Sequence, residues 1–155
     1  MAELQKKTRR KKSDLTKAKD KAWVAFSRYI RTRDCIRFRK SLTEGICVTC
    51  KRVYPIGQLQ AGHFIPGRNN AVLLDERIVY SQCAGCNLAP PRGLGGNYIE
   101  YFVFMEHEWG REKIDEFRAL KHQTKIMKAF DWSMEELKFK QKTDELLIAF
   151  NTQNA

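Results

Sequence analysis

Cys47-Val48-Thr49-Cys50 and Cys83-Ala84-Gly85-Cys86 frame a stretch that contains one histidine, His63. Each Cys-x-x-Cys pair can bend into a knuckle that aims two thiolates at one point, and two knuckles make the tetrahedral four-sulfur cage that zinc prefers. A cage filled by Cys47, Cys50, Cys83 and Cys86 leaves no position open for substrate. The zinc is therefore expected to be structural, with any chemistry beside it. Two disulfides are the alternative, but five cysteines without a secretory leader read as a reduced chain, with Cys35 left over as a thiol.

Outward from this stretch, 155 residues of which 43% are hydrophobic suffice for one core and are too few for two ordinary domains. No apolar run reaches membrane-spanning length, so a soluble, cytoplasmic protein with no membrane partner is expected. The net charge of +11 is unevenly placed: residues 1–40 hold 15 Lys/Arg against 4 Asp/Glu, and the remainder is balanced at 14 against 14. Lys6, Lys7, Arg9, Arg10, Lys11 and Lys12 lie in a segment without apolar periodicity. Residues 1–12 thus read as a flexible basic arm ahead of a single domain over 13–155, and a basic arm suits a polyanion, because cations that neutralise phosphates release counterions.

Leu15, Ala22, Trp23, Phe26, Tyr29 and Ile30 fall on one stripe of a helix expected to start at Ser13. Short β-prone runs, Leu59–Ile65 and Arg77–Gln82, lie inside the zinc-tied segment 47–86, between turn residues such as Pro55, Gly57, Pro66 and Gly67. Pro90, Pro91, Gly93, Gly95 and Gly96 exclude a continuous helix until about Asn97. From there Tyr98, Phe102, Met105 and Trp109 recur at helical spacing until Gly110. A second helix is expected from Glu112 to about Phe130, and a third behind a Ser133-x-x-Glu136 capping box. The C-terminal half is thus expected to be helical, with its aromatic stripes in the core.

A lone histidine is by default a structural residue, but with four cysteines filling the zinc shell His63 stays available to take a proton from water. Several separated motifs then agree in order and spacing. They are Ala61-Gly62-His63-Phe64, Gln82-Cys83-x-x-Cys86-Asn87 and Gly96-Asn97-x-x-Glu100-Tyr101, with Phe26-Ser-Arg-Tyr-Ile-Arg-Thr-Arg-Asp34 upstream and Trp109-Gly110-x-Glu112 downstream. Together they resemble the NinG (Rap) recombination proteins of lambdoid bacteriophages.

The resemblance implies an α+β fold in which a zinc-stabilised ββα-metal, HNH-like centre is embedded in a mostly helical domain. It also implies divalent-metal-dependent endonuclease activity on branched DNA, such as Holliday junctions and D-loops, in the cytoplasm of a bacterial host. By that resemblance His63 is the general base and Asn87 fills the final position of the motif, while Asn97 and Glu100, one turn apart at the start of a helix, are expected to present oxygen ligands to a catalytic Mg2+ or Mn2+, with a carboxylate from Asp75 or Glu76 as the alternative. Gly62 stands where many HNH enzymes carry a metal-binding Asp or His, and Ile78 where an asparagine is usual. Arg68 and Arg92, in turns around this centre, are expected to join the arm in holding DNA. Paired cuts across a junction would suit a homodimer. The rival readings are a non-catalytic zinc module that binds nucleic acid and a zinc-tied interaction scaffold.

Overall fold

The computed structural model describes residues 12–67 and 69–154. Lys6, Lys7, Arg9, Arg10, Lys11 and Arg68, six of the expected DNA-binding cations, lie outside the described residues.

Helix α1, Asp14–Arg39, begins where the Ser13 hydroxyl accepts the Thr16 N–H and ends at left-handed Lys40, φ 53°, whose N–H reaches the Ile36 carbonyl. Its buried stripe is Ala18, Ala22, Ala25, Phe26, Tyr29 and Ile30. Leu15, expected on that stripe, is 45% exposed; Ala18, one turn on, is the residue that packs with Trp132.

Strands β1, Glu44–Ile46, and β2, Val53–Pro55, pair antiparallel with Ile46 opposite Val53, and the first cysteine pair forms the turn between them. A 3-10 turn, Ile56–Gln58, leads into β3, Leu59–His63. This strand pairs antiparallel with β4, Val79–Cys83; Leu59 faces Cys83 and His63 faces Val79. One helical turn, α2 (Ala84–Asn87), follows directly. Helices α3 (Tyr98–Trp109), α4 (Arg111–Ala119) and α5 (Ala129–Gln153) complete a mixed α+β architecture with two small sheets and a helical C-terminal half.

Strand alternation puts Gln60, Gly62, Tyr80 and Gln82 on one face of the β3–β4 ribbon, and Ala61, His63, Val79 and Ser81 on the other. Helix α3 covers the first face: Phe104 meets the Tyr80 ring edge-on at 4.8 Å, and the Trp109 indole donates to the Tyr80 hydroxyl at 3.0 Å. The Tyr101 hydroxyl enters the ladder itself. It accepts the Tyr80 N–H at 3.0 Å and donates to the Gly62 carbonyl at 2.7 Å, relaying a strand-to-strand bond through a side chain.

Helix α1 covers the second face through Arg33 and Asp34. Arg33 donates to the Glu76 and Val79 carbonyls and to Asp34, and the other Asp34 oxygen accepts the Ser81 N–H at 2.7 Å. The outer edge of β4 is thereby closed by a paired buried charge, the arrangement in which a buried charge is tolerated. Helix α5 runs parallel to α1. Trp132 packs with Ala18 and Ala22, Phe139 meets Phe26 at 4.8 Å and Tyr29 at 5.4 Å, and Lys142 lies over Tyr29 one turn on.

Two helix expectations are corrected. The helix expected from Glu112 to about Phe130 ends at Ala119 and passes through a 3-10 turn, Leu120–His122. Asn69 and Asn70 donate to the Lys121 and Lys125 carbonyls, tying this stretch down as a connector that leads Met127 into the Ala18–Trp132 cluster. Ser133 and Glu136 do not cap a helix start. Ser133 lies one turn inside α5 and donates to the Ala129 carbonyl, while the start is capped by Asp131, which accepts the Lys128 N–H at 2.7 Å.

Candidate functional site

The knuckle at Cys47–Cys50 is bent by backbone bonds from the Lys51 N–H to the Cys47 carbonyl and from the Cys47 N–H to the Arg52 carbonyl, both 2.9 Å, with Lys51 at φ 62°. The second knuckle runs from the last residue of β4 into α2. The four Sγ atoms of Cys47, Cys50, Cys83 and Cys86 lie within 4.8 Å of one another, with Cys50 and Cys83 3.9 Å apart. Zinc–sulfur bonds of about 2.3 Å in a tetrahedron place sulfurs about 3.8 Å apart, so this donor set fits a metal such as zinc. All five cysteines are free thiols, and Cys35 is buried away from the cluster.

The electrostatics of the cluster call for a cation. Burial pushes the Cys47 thiol up, but the Thr49 hydroxyl and the N–H groups of Cys50, Cys83 and Thr49 pull it down to about 7. Cys50 is pushed up to about 12 by burial and by the neighbouring sulfurs of Cys47 and Cys83, against the pull of the Arg52 N–H. Crowded thiols resist ionising together unless a positive charge sits among them.

A second layer surrounds the sulfurs. The Asn97 amide donates to Cys86 Sγ at 3.6 Å, and the Gln82 amide donates to Thr49 Oγ1 and to the Gly96 carbonyl. The loop after α2 folds back over that turn: the N–H groups of Leu94, Gly95 and Gly96 reach the carbonyls of Gly85, Leu88 and Cys86. A Cβ at Gly93 would meet three of the carbonyls there at 2.5–2.9 Å, which explains the glycine. The segment around Pro90-Pro91-Arg92 is thus part of the wrapping of the sulfur site, with Arg92 exposed on it.

His63 closes the opposite end of the β3–β4 ribbon from Cys83, four residues and so about 13 Å along the strand. Its Nε2 lies 3.0 Å from the Leu73 carbonyl, and its ring stacks on Trp23 at 5.2 Å with planes 17° apart. A carbonyl only accepts, so this contact is a hydrogen bond when Nε2 carries the hydrogen.

The remaining site residues lie elsewhere. A methyl at Gly62 would meet Gln82 Oε1 at 2.0 Å and Asn87 Oδ1 at 3.0 Å, so Asn87 lies on the face of the ribbon that the His63 side chain leaves. Asn87 donates to Gln60 Oε1 at 2.8 Å. Asn97 is engaged with Cys86, and Glu100 is exposed in the first turn of α3. The structure therefore sets Asn97 against the sulfurs and the Asn87 side chain beneath Gln60 and Gly62, on the face of the ribbon opposite the His63 side chain. Among the described residues no second group of three or more His, Cys, Asp or Glu side chains gathers closely enough to hold a metal, and Asn97 with Glu100 forms no ready-made oxygen cage for Mg2+. Lys12 is paired with Asp20. No helix among the described residues is long and apolar enough to cross a membrane.

Trp23, Thr49, Leu73 and Gln82 belong to these sites although sequence reading passes over their roles. Trp23 sits in an amphipathic stripe where an aromatic reads as core, and Leu73 contributes only its backbone. Gln82 and Thr49 carried a usable signal, since polar residues beside cysteine ligands are the natural second layer.

Residues 2–147, from the basic arm into the last turns of α5, match the family described as Bacteriophage Lambda NinG protein. No curated protein and no solved structure matches the chain. With nearly its whole length covered by that match, this chain belongs to the bacteriophage lambda NinG family.

Proposed function

We propose that this protein is an endonuclease that hydrolyses phosphodiester bonds in branched DNA, with His63 as general base and a zinc-tied, HNH-like β3–β4–α2 unit as scaffold. The observation that carries the reading is the held orientation of the His63 ring. The Leu73 carbonyl 3.0 Å from Nε2 and the stacked Trp23 ring hold the imidazole in one orientation at the end of β3, where it can act on water. Zinc at the four cysteines fastens β1–β2 to β3–β4 and stays out of the reaction. Cleavage is expected to need Mg2+ or Mn2+. Mg2+ is commonly held by one or two carboxylates together with substrate phosphates, so the lack of a ready-made oxygen cage suits an ion that arrives with the DNA.

A second reading, a zinc-containing nucleic-acid-binding protein without catalysis, is favoured by the separation of His63 from Asn87 and Asn97. One experiment divides the two: wild type and His63→Ala are incubated with a synthetic four-way junction and a linear duplex, with and without Mg2+ or Mn2+, and zinc content and binding are measured on the same preparations. Loss of a general base typically costs about 10²- to 10⁴-fold, and His63→Ala should lose that much cleavage while keeping zinc and binding. Binding by the wild type with no cleavage under either ion selects the second reading. Full cleavage by His63→Ala rejects the mechanism.

A further inference from the structure

At the His63 end of the ribbon, on its other face, Phe64, Ile65, Pro66, Tyr98, Phe102 and Arg118 line an open pocket of about 260 Å3. Its walls are flat. Phe64 and Phe102 lie 6.3 Å apart, and the Tyr98 ring rests on Gly96, where a Cβ would be 3.2 Å away. Its rim carries two guanidinium groups, those of Arg111 and Arg118, over the Phe102 ring at 4.9 and 5.3 Å, each also near an exposed carboxylate, Glu106 at 3.5 Å and Asp115 at 3.4 Å, which a phosphate would have to displace. The sequence places Tyr98 in a core stripe, yet Tyr98 is 41% exposed, with Ile99 at 80% and Val103 at 59% beside it. This end of α3 thus presents apolar and aromatic surface to solvent without covering it, the kind of patch that marks an interaction site.

We infer that this pocket takes one unpaired nucleobase from a branch point, stacked against Tyr98 with its phosphates near Arg111 and Arg118. Three observations select a base over an apolar peptide. Aromatic faces joined to guanidinium groups are the means by which proteins hold unstacked bases regardless of sequence. At about 260 Å3 the pocket falls below the roughly 300–1,000 Å3 typical of pockets for drug-sized ligands, a size suited to one planar ring system. The chain's charge of +11 favours a polyanion over a peptide. The inference rests on the DNA part of the proposed function and is independent of cleavage. Branched DNA would then be told from duplex by what it alone offers, a base free to leave the stack, while the pocket and His63 flank the same end of the ribbon.

The test compares binding of two branched DNAs that differ only in whether the unpaired position carries a base or is abasic, in buffer without added divalent ions, with an intact duplex as reference. Stacking of a base on an aromatic side chain is worth about 5- to 150-fold in affinity, and the wild type should prefer the base-containing DNA by that factor. Tyr98→Ala should lose the preference with its zinc content and duplex affinity unchanged, Tyr98→Phe should keep it, and Ile99→Ala, a neighbouring exposed control, should also keep it. Equal binding of the two branched DNAs by the wild type, or a preference that survives in Tyr98→Ala, overturns the inference and leaves the pocket to an apolar peptide. Failure to bind any of the three DNAs would instead overturn the DNA reading of the whole protein.

Discussion

A single methyl group at position 62 would land 2.0 Å from Gln82 Oε1 and 2.8 Å from its Cδ. A flexible amide could normally swing away, but Gln82 is pinned by its bonds to Thr49 and the Gly96 carbonyl, two members of the layer around the sulfurs. Gly62 is therefore required by close approach, and an acidic or imidazole side chain has no room there. Gly62→Ala should destabilise the fold by about 1–3 kcal/mol, the cost of overpacking a filled interior, read as a lower midpoint in urea unfolding with the slope unchanged. An unchanged midpoint would mean that Gln82 moves freely. His63 shows the complementary case at the next position. The residue stands out in the sequence as the one histidine between the cysteine pairs, whereas the partners that hold its ring were not legible, because one is the backbone of a leucine ten residues away and the other an aromatic forty residues upstream.

At the scale of elements, the β1–β2 and β3–β4 ribbons are short, and two-stranded ribbons are marginal alone. Two devices hold them: the sulfur site and the helices on either face. Metal binding in zinc-finger peptides is worth about 10–16 kcal/mol, so Cys83→Ser should release zinc and melt the segment 47–86, measured as lost zinc and lost amide protection there. Retained zinc with unchanged protection would remove the site from the account of the fold. The turn before β4 is tied separately, since Glu76 accepts from Lys142 on α5 at 2.6 Å. Burial pushes the Glu76 carboxyl up, but Lys142 and Tyr29 outweigh it and hold the carboxyl below its usual value. A carboxyl depressed in the folded state contributes stability that is complete above its unfolded pKa and is lost as pH falls through its folded pKa. Glu76→Gln should therefore lower stability at pH 7 and weaken the loss of stability as pH falls through and below the ordinary carboxylate range, seen in urea midpoints across an acid series; parallel curves for the two proteins would refute the role. The starts of α1 and α3 and the two strands were legible because Ser13, the glycines before Asn97 and the β-prone runs are local signals. The break at Ala119 was not, since Asn69 and Asn70, fifty residues away, hold the connector that follows.

At the scale of the molecule, one ribbon carries the four-sulfur cluster at one end and His63 at the other, with α1 and α5 behind one face and α3 in front of the other. Periodicity marked the apolar faces of these helices without saying which face of the ribbon each would cover, so the fold class was readable and the separation of His63 from Asn87 was not. The charge adds a second division. Of the net +11, residues 1–12 carry +5, from six cations and Glu3, and in the body many cations are already engaged: Arg33 with Asp34, Arg37 with Glu108, Arg77 with Asp75 and Lys142 with Glu76. Cations clustered along one short segment can follow phosphates on any DNA, whereas selection of a branch needs groups held at set distances. Deletion of residues 1–12 should therefore weaken junction and duplex binding by similar factors and make the slope of log K against log salt shallower, by about 0.9 for each duplex phosphate that the arm no longer neutralises. The measurement is affinity for both DNAs across a salt series, with and without the arm. A truncation that abolishes junction preference while leaving duplex affinity and its salt slope intact would assign the arm to recognition of the branch and take that task away from the body.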